Sequence, residues 1–206
     1  MTTTISTASA ATMFVLLEGP SDVAAVAALM ERDGLASPNV ELVNLQGATN
    51  VGRVLGEIRQ IRSDADVVGL CDAADTRAAE KALADDGLPV LDASDLPVYG
   101  FFVCEPDLEG ELIRALGVER AKAAIEGAGL GSKFDALRTQ AAWADEPLAD
   151  QLRRFARAAS GRKENAAAVL AAALGADEVP EPLAMLLDRI RYALAQLPPG
   201  ALRARS

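Results

Sequence analysis

The sequence predicts an α/β fold: a four-stranded, mostly parallel sheet with helices on both faces, followed by an all-helical extension. Through the first hundred residues, short apolar runs alternate with helix-like patterns, as strands joined by crossover helices do. After about Leu108 the strand signal ends and only helical patterns remain. Apolar residues make up 50% of the 206, yet 42 residues are alanine and only 4% are aromatic. A core of Leu, Val and Ile among many alanines favours closely packed helices.

The elements follow in order. Met13 to Leu17 is a short apolar run, ended by Glu18-Gly19-Pro20-Ser21-Asp22, and an alanine-rich helix runs from about Val23 to Arg32 with Gly34 as its stop. Val40 to Leu45 is a second strand, followed by a turn containing Gly47 and a helix from about Val51 to Arg62. Asp66 to Cys71 contains the third strand, with a helix after Asp75 to about Ala84, and Tyr99 to Cys104 is the fourth. Helical patterns then occupy 108–116, 119–127, 133–141, 148–159, 163–174 and 183–197, separated by glycines and prolines. Residues 1–11 read as a flexible leader, 12–110 as the α/β core, 111–197 as a helical extension packed on it, and 198–206 as a tail.

Composition excludes several chemistries. With no histidine there is no Ser-His-Asp triad, no Cys-His pair, no imidazole-ligated zinc and no histidine pH switch. Two cysteines, Cys71 and Cys104, make neither a four-cysteine zinc site nor a disulfide framework; both are expected in the apolar layers of a protein kept in a reducing compartment. Metal chemistry would therefore run on oxygen ligands, which suit magnesium, manganese or calcium. No apolar run reaches the roughly 18–20 residues of a membrane span, and the first twelve residues lack the basic flank of a signal peptide, so a cytoplasmic protein is expected.

The net charge of −10 is unevenly spread. Residues 1–110 carry 18 acidic and 6 basic side chains, and residues 111–206 carry 12 and 14. Such a split fits carboxylates gathered around cations in one half and a polyanion bound by the other; it also fits an acidic protein with solvated Arg-rich helices.

In an open parallel sheet, residues just past the carboxyl ends of the strands share one edge, where ligands bind. Three of the four strand ends here are acidic. The first delivers Glu18 and then Asp22, the third Asp72 and Asp75, the fourth Glu105, Asp107, Glu109 and Glu111. The second delivers Gly47, where a backbone can approach closely. Converging carboxylates repel unless cations neutralise them, which predicts one or two hard divalent ions. Taken singly, Asp22 could stabilise a helix dipole and Asp72 could cap a helix.

At these residues the sequence resembles a known family. Leu17-Glu18-Gly19-Pro20-Ser21-Asp22 resembles the glutamate motif that opens a TOPRIM domain, in the form found in OLD-family (overcoming lysogenization defect) nucleases. Gly69-Leu70-Cys71-Asp72-Ala73-Ala74-Asp75 stands where the family has its aspartate motif. Asp107-Leu108-Glu109-Gly110-Glu111-Leu112 resembles the later acidic motif, and Ser160-Gly161-Arg162-Lys163 the C-terminal lysine segment. The likeness runs from about Thr12 to Ile190 and is greatest to short stand-alone TOPRIM proteins. Two departures stand out. Ala74 occupies the second position of the usual Asp-x-Asp, and the chain has no Gly-x-x-x-x-Gly-Lys-Ser/Thr loop, so any ATPase would be a partner acting in trans.

The resemblance implies a TOPRIM-like core and phosphodiester hydrolysis of DNA with two Mg²⁺ or Mn²⁺ ions about 4 Å apart, Ca²⁺ being a non-catalytic occupant. Glu18 and Asp22 would serve one ion and Asp72, with Asp75 or Asp107 and Glu109, the other. Glu18 and Lys163 would be catalytic, Lys163 by stabilising charge on the phosphorus, although a solvated lysine at a helix start looks the same. Arg153, Arg154, Arg157, Arg162 and Lys163 lie in a stretch, 151–163, without an acidic residue, and are candidate contacts to the nucleic-acid backbone. Two alternatives stand beside this reading: a non-catalytic TOPRIM module that binds nucleic acid or a partner protein, and a small-nucleotide phosphoryl or nucleotidyl transferase. A dimer is possible, but alanine-rich helices obscure which face is apolar and leave the oligomeric state open.

Overall fold

The computed structural model describes residues 11–157 and 162–197, with the side chains of 162–165 outside that description. β1 (Met13–Leu17) is buried along its whole length. Its side chains alternate between layers: Met13, Val15 and Leu17 enter one core, Phe14 and Leu16 the other. A strand covered on both faces needs a continuous apolar run, which is why MFVLL reads as it does.

α1 (Pro20–Arg32) leads to β2 (Val40–Asn44), α2 (Val51–Ile61) to β3 (Asp66–Asp72), and α3 (Thr76–Asp85) to β4 (Phe101–Cys104). All four strands are parallel, in the order β2-β1-β3-β4. Arg32 supplies a charge to the last turn of α1, and Gly34, at φ +67°, takes the left-handed conformation that ends it. Gly69 in β3 is required by contact: a Cβ there would lie 2.9 Å from both the Leu16 carbonyl and the Phe101 ring.

The sheet has helices on both faces. α2 and α3 cover one with Val54, Leu55, Ile58, Ala79 and Leu83. The other carries α1 together with α4 (Leu108–Leu116), α5 (Val118–Gly127), α6 (Gly131–Arg138), α7 (Leu148–Arg157), α8 (Arg162–Ala172) and α9 (Glu181–Ala195). α1 and α8 meet through small residues, among them Ala25, Ala166, Ala167 and Ala171, all fully buried, so the alanine content becomes close backbone approach. α9 packs over β3 and β4. No helix among the described residues is long and apolar enough to cross a membrane.

Two differences from the sequence expectation are local. β4 begins at Phe101 rather than Tyr99, because Ala93–Tyr99 forms a 3₁₀ helix whose N-cap, Asp92, accepts the Ser94 N–H at 2.8 Å, and Gly100 then turns left-handed. Ala11, the last residue of the expected leader, is buried against the α2 layer.

Chain direction across the sheet reverses at its centre. From β1 the chain moves outward to β2, and from β3 it moves the opposite way to β4. β1 and β3 therefore flank the point at which a crevice opens beyond the strand ends.

Candidate functional site

Glu18 and Asp72 stand on either side of that crevice. Glu18 follows β1, and its Oε1 accepts the backbone N–H of Asp72 at 3.0 Å, tying the two strand ends together. Asp72 closes β3, and its Oδ1 accepts the Leu108 N–H at 3.3 Å. The 3₁₀ turn Ala73–Asp75 then turns Ala74 into solvent and brings Asp75 back. One carboxylate oxygen each from Glu18, Asp72 and Asp75 lies within 4.8 Å of the others, all three residues half-buried. A three-carboxylate group therefore exists without an acid at position 74.

A second set of acids meets on the α1 side of Glu18. A cleft of about 270 Å³ is lined by Glu18, Asp22, Asp72, Glu109 and Arg157, with the Gln46–Gly47 turn along its rim. Asp22, in the first turn of α1, is oriented by the Gly19 N–H, 2.7 Å from its Oδ2. Glu109 enters from the first turn of α4 and is buried. Gly47, at φ +118°, lets the turn fold back so that its N–H reaches the Glu18 carbonyl at 2.9 Å. Neighbouring Gln46 is also left-handed, at φ 59°, a conformation uncommon away from glycine.

Asp107 is brought near the cleft but is spoken for. Fully buried at the N-cap of α4, it accepts the Gly110 N–H at 2.8 Å on one oxygen and the Arg153 guanidinium at 2.8 and 2.6 Å on the other, which Arg157 also contacts. Burial pushes its carboxyl up, but the hydrogen bonds from Arg153 and Gly110 and the charge of Arg157 outweigh burial and hold it below the usual range. Glu111, likewise buried, accepts the Glu105 N–H at 3.0 Å and pairs with Arg114, bracing the turn after β4.

Asp72 titrates in the opposite direction. Burial first, then the negative charges of Glu18, Asp22 and Asp107, push it up to about 8, with Arg157 pulling the other way from 3.6 Å. Burial, with Glu18 and Asp72 adding to it, pushes the Cys71 thiol up to about 12. Cys71 belongs to the α2–α3 layer and Cys104 to the α1 layer, on opposite faces of the sheet, as buried thiols.

Among the arginines, Arg153 and Arg157 serve Asp107, and Arg154 lies over the Trp143 ring, 5.4 Å from its centroid. Arg162 and Lys163 belong to the first turn of α8, and their side chains lie outside the described residues. The sequence reading missed Ser21, whose buried Oγ has no hydrogen-bond partner among the described residues and which lines the cleft. It also missed Trp143. Ser21 stands inside the Glu18–Asp22 segment and was findable there; Trp143 has no local signal.

The fold is shared with solved structures. The C-terminal region of the Burkholderia pseudomallei OLD protein matches with a TM-score of 0.63 at 20% identity, over 90% of this chain and 99% of that one. Two structures of the C-terminal region of the Xanthomonas campestris pv. campestris OLD protein match at 23% and 24% identity, each with a TM-score of 0.62, over 90% of this chain and 97% and 94% of theirs. A scan against protein-family models and a search of the curated proteins found no match. The chain shares the fold of these OLD C-terminal regions, and it carries a carboxylate cluster at the sheet edge.

Proposed function

We propose that this chain is a divalent-metal-dependent nuclease of the OLD-like TOPRIM type, hydrolysing DNA phosphodiesters with Mg²⁺ or Mn²⁺ and working with an ATPase supplied in trans. The observation that carries this is the convergence of Glu18, Asp72 and Asp75 at the switch point of the sheet. The donor set fits the ion. The converging acids offer carboxylate oxygens, the thiols are buried on either face, and Asp72 is pushed up by burial and then by its acidic neighbours, so a hard cation would relieve the repulsion.

Glu18, Asp72 and Asp75 would hold one cation, with Asp22 and Glu109 beside Glu18 across the cleft. When bound, such an ion supplies charge neutralisation at phosphate and an activated water. The chain contributes orientation. The Asp72 N–H fixes Glu18, the Gly19 N–H fixes Asp22, and Asp107 steers Arg157 toward the rim, where a phosphate would meet a guanidinium. With no histidine in the sequence, the general bases among the described side chains lining this cleft are the carboxylates of Glu18, Asp22, Asp72 and Glu109.

The test is nicking of supercoiled plasmid by the purified protein with millimolar Mn²⁺ or Mg²⁺. Activity is expected to vanish in chelator and in Glu18→Gln. Nicking that survives Glu18→Gln overturns the assignment.

One observation favours a second reading, a catalytically weak nucleic-acid-binding module. Arg157 already sets a positive charge against both Asp107 and Asp72. Retained salt-sensitive DNA binding together with negligible Mn²⁺ affinity by calorimetry would select it.

A further inference from the structure

Arg157 also borders a second cavity. This one, of about 420 Å³, is lined by Trp143, Glu146, Asp150, Arg153, Arg154 and Arg157. Asp150 and Arg153 continue in turn into a third cavity of about 400 Å³, which reaches Arg114. A groove thus leaves the carboxylate cleft and follows one side of α7, where residues three and four apart are neighbours. Its basic side chains outnumber the two acids, Glu146 and Asp150, at the Trp143 cavity.

Trp143 is held in place there. Buried Gln151 donates from Nε2 to the carbonyls of Trp143, at 2.8 Å, and Glu146, at 2.9 Å, and its Oε1 accepts from Arg138 Nε at 2.8 Å. The turn carrying the indole is thereby clamped to α7. The ring is half-buried, and exposed Arg154 lays its guanidinium over it. Among the described residues Arg154 has no carboxylate within 4.0 Å, unlike Arg153 and Arg157. A flat aromatic on a pre-ordered turn and a flat cation on α7, beside a groove lined by arginines, form the surface on which unpaired bases stack, and arginine adds a cation–π contribution.

We infer that Trp143 and Arg154 form a stacking platform for an unpaired nucleobase next to the carboxylate cleft, so that the preferred ligand is single-stranded DNA. The inference rests on reading the chain as a nucleic-acid hydrolase and adds the strand form it takes. Base faces in a duplex are covered by their neighbours, so only an unpaired base engages the indole. Phosphates run along the Arg153–Arg157 side, and the base turns toward Trp143.

Trp143 is the only tryptophan, so its emission reads this platform alone. The full chain in EDTA is titrated with a labelled oligothymidylate and with the matching duplex, following tryptophan emission and label anisotropy together. The expected result is emission quenched in step with single-strand binding, with the duplex bound more weakly. Trp143→Ala should weaken single-strand binding about tenfold and duplex binding far less. Trp143→Phe should recover part of the loss, and Arg154→Gln, at an exposed position, should weaken single-strand binding without lowering the melting temperature. Unchanged emission at saturation, equal losses on both DNA forms, or no binding at all overturns the platform. The assay needs no metal, so its outcome separates from the nuclease reading. Glu18-dependent nicking with unchanged emission sinks the platform alone, whereas quenching without nicking supports the platform and sinks the nuclease.

Discussion

The Glu18 carboxylate accepts the Asp72 backbone N–H at 3.0 Å, joining the ends of two adjacent parallel strands by a side chain. Glu18 thus has both a structural and an electrostatic role, which substitution can separate. Glu18→Gln keeps an acceptor oxygen and removes the charge; Glu18→Ala removes both. Thermal melting of metal-free protein is expected to be unchanged or higher for Gln and lower for Ala. Mn²⁺ affinity by calorimetry should fall in both.

Asp75 is the test of whether Ala74 leaves the cluster intact. Losing a ligand should cost at least the tenfold that loss of an outer partner typically does, so Asp75→Asn is expected to weaken Mn²⁺ binding about tenfold or more. Ala74 is exposed, so Ala74→Asp should not restore the affinity of the Asp75 variant. Restoration would show that the turn accepts a ligand at either position.

The pH dependence of the metal-free protein follows from Asp72. Its carboxyl is pushed from 3.8 up to about 8 by burial and by like charges, so between these values the folded state holds a proton that the unfolded chain has lost. Stability contributed by this group falls as pH rises from about 4 to about 8, the reverse of an ordinary salt-bridged carboxylate. In EDTA, the wild type minus Asp72→Asn difference in melting temperature should therefore decline across that window. A flat difference would contradict the assignment. Mn²⁺ binding near pH 7 should release a proton, seen as a buffer-dependent heat that fades above pH 8.

Asp107 sets the opposite case. It caps α4 and pairs with two arginines while fully buried. Asp107→Ala is expected to destabilise by about 2–4 kcal/mol in urea unfolding, combining a lost cap with a broken buried pair. Asp107→Asn, which keeps the cap oxygen, should cost visibly less. Equal losses would show that the ion pairs carry the whole effect.

Gly69→Ala tests the sheet itself. With the Leu16 carbonyl and the Phe101 ring each 2.9 Å from the added carbon, the strands must part, at a cost of about 1–3 kcal/mol. Equilibrium unfolding reads this cost, and Gly56→Ala in α2, where nothing lies within 4 Å, should instead stabilise through helix propensity.

By itself the sequence determined the strand runs, the helix stops and the acidic character of three strand ends, because burial on two faces and chain reversal leave local traces in residue order. MFVLL is a strand on inspection, and Glu18 before Gly-Pro stands out as an acid ending a buried run. Only the tertiary structure decided which acids meet. The order β2-β1-β3-β4 puts Glu18 beside Asp72, 54 residues away, and a single 3₁₀ turn recruits Asp75. Packing of α7 against α4 commits Asp107 to arginines 46 and 50 residues further on, and the clamp from Gln151 orders Trp143. These are pairings between distant segments. Their energies depend on separation and burial in space, and periodicity along the chain records neither.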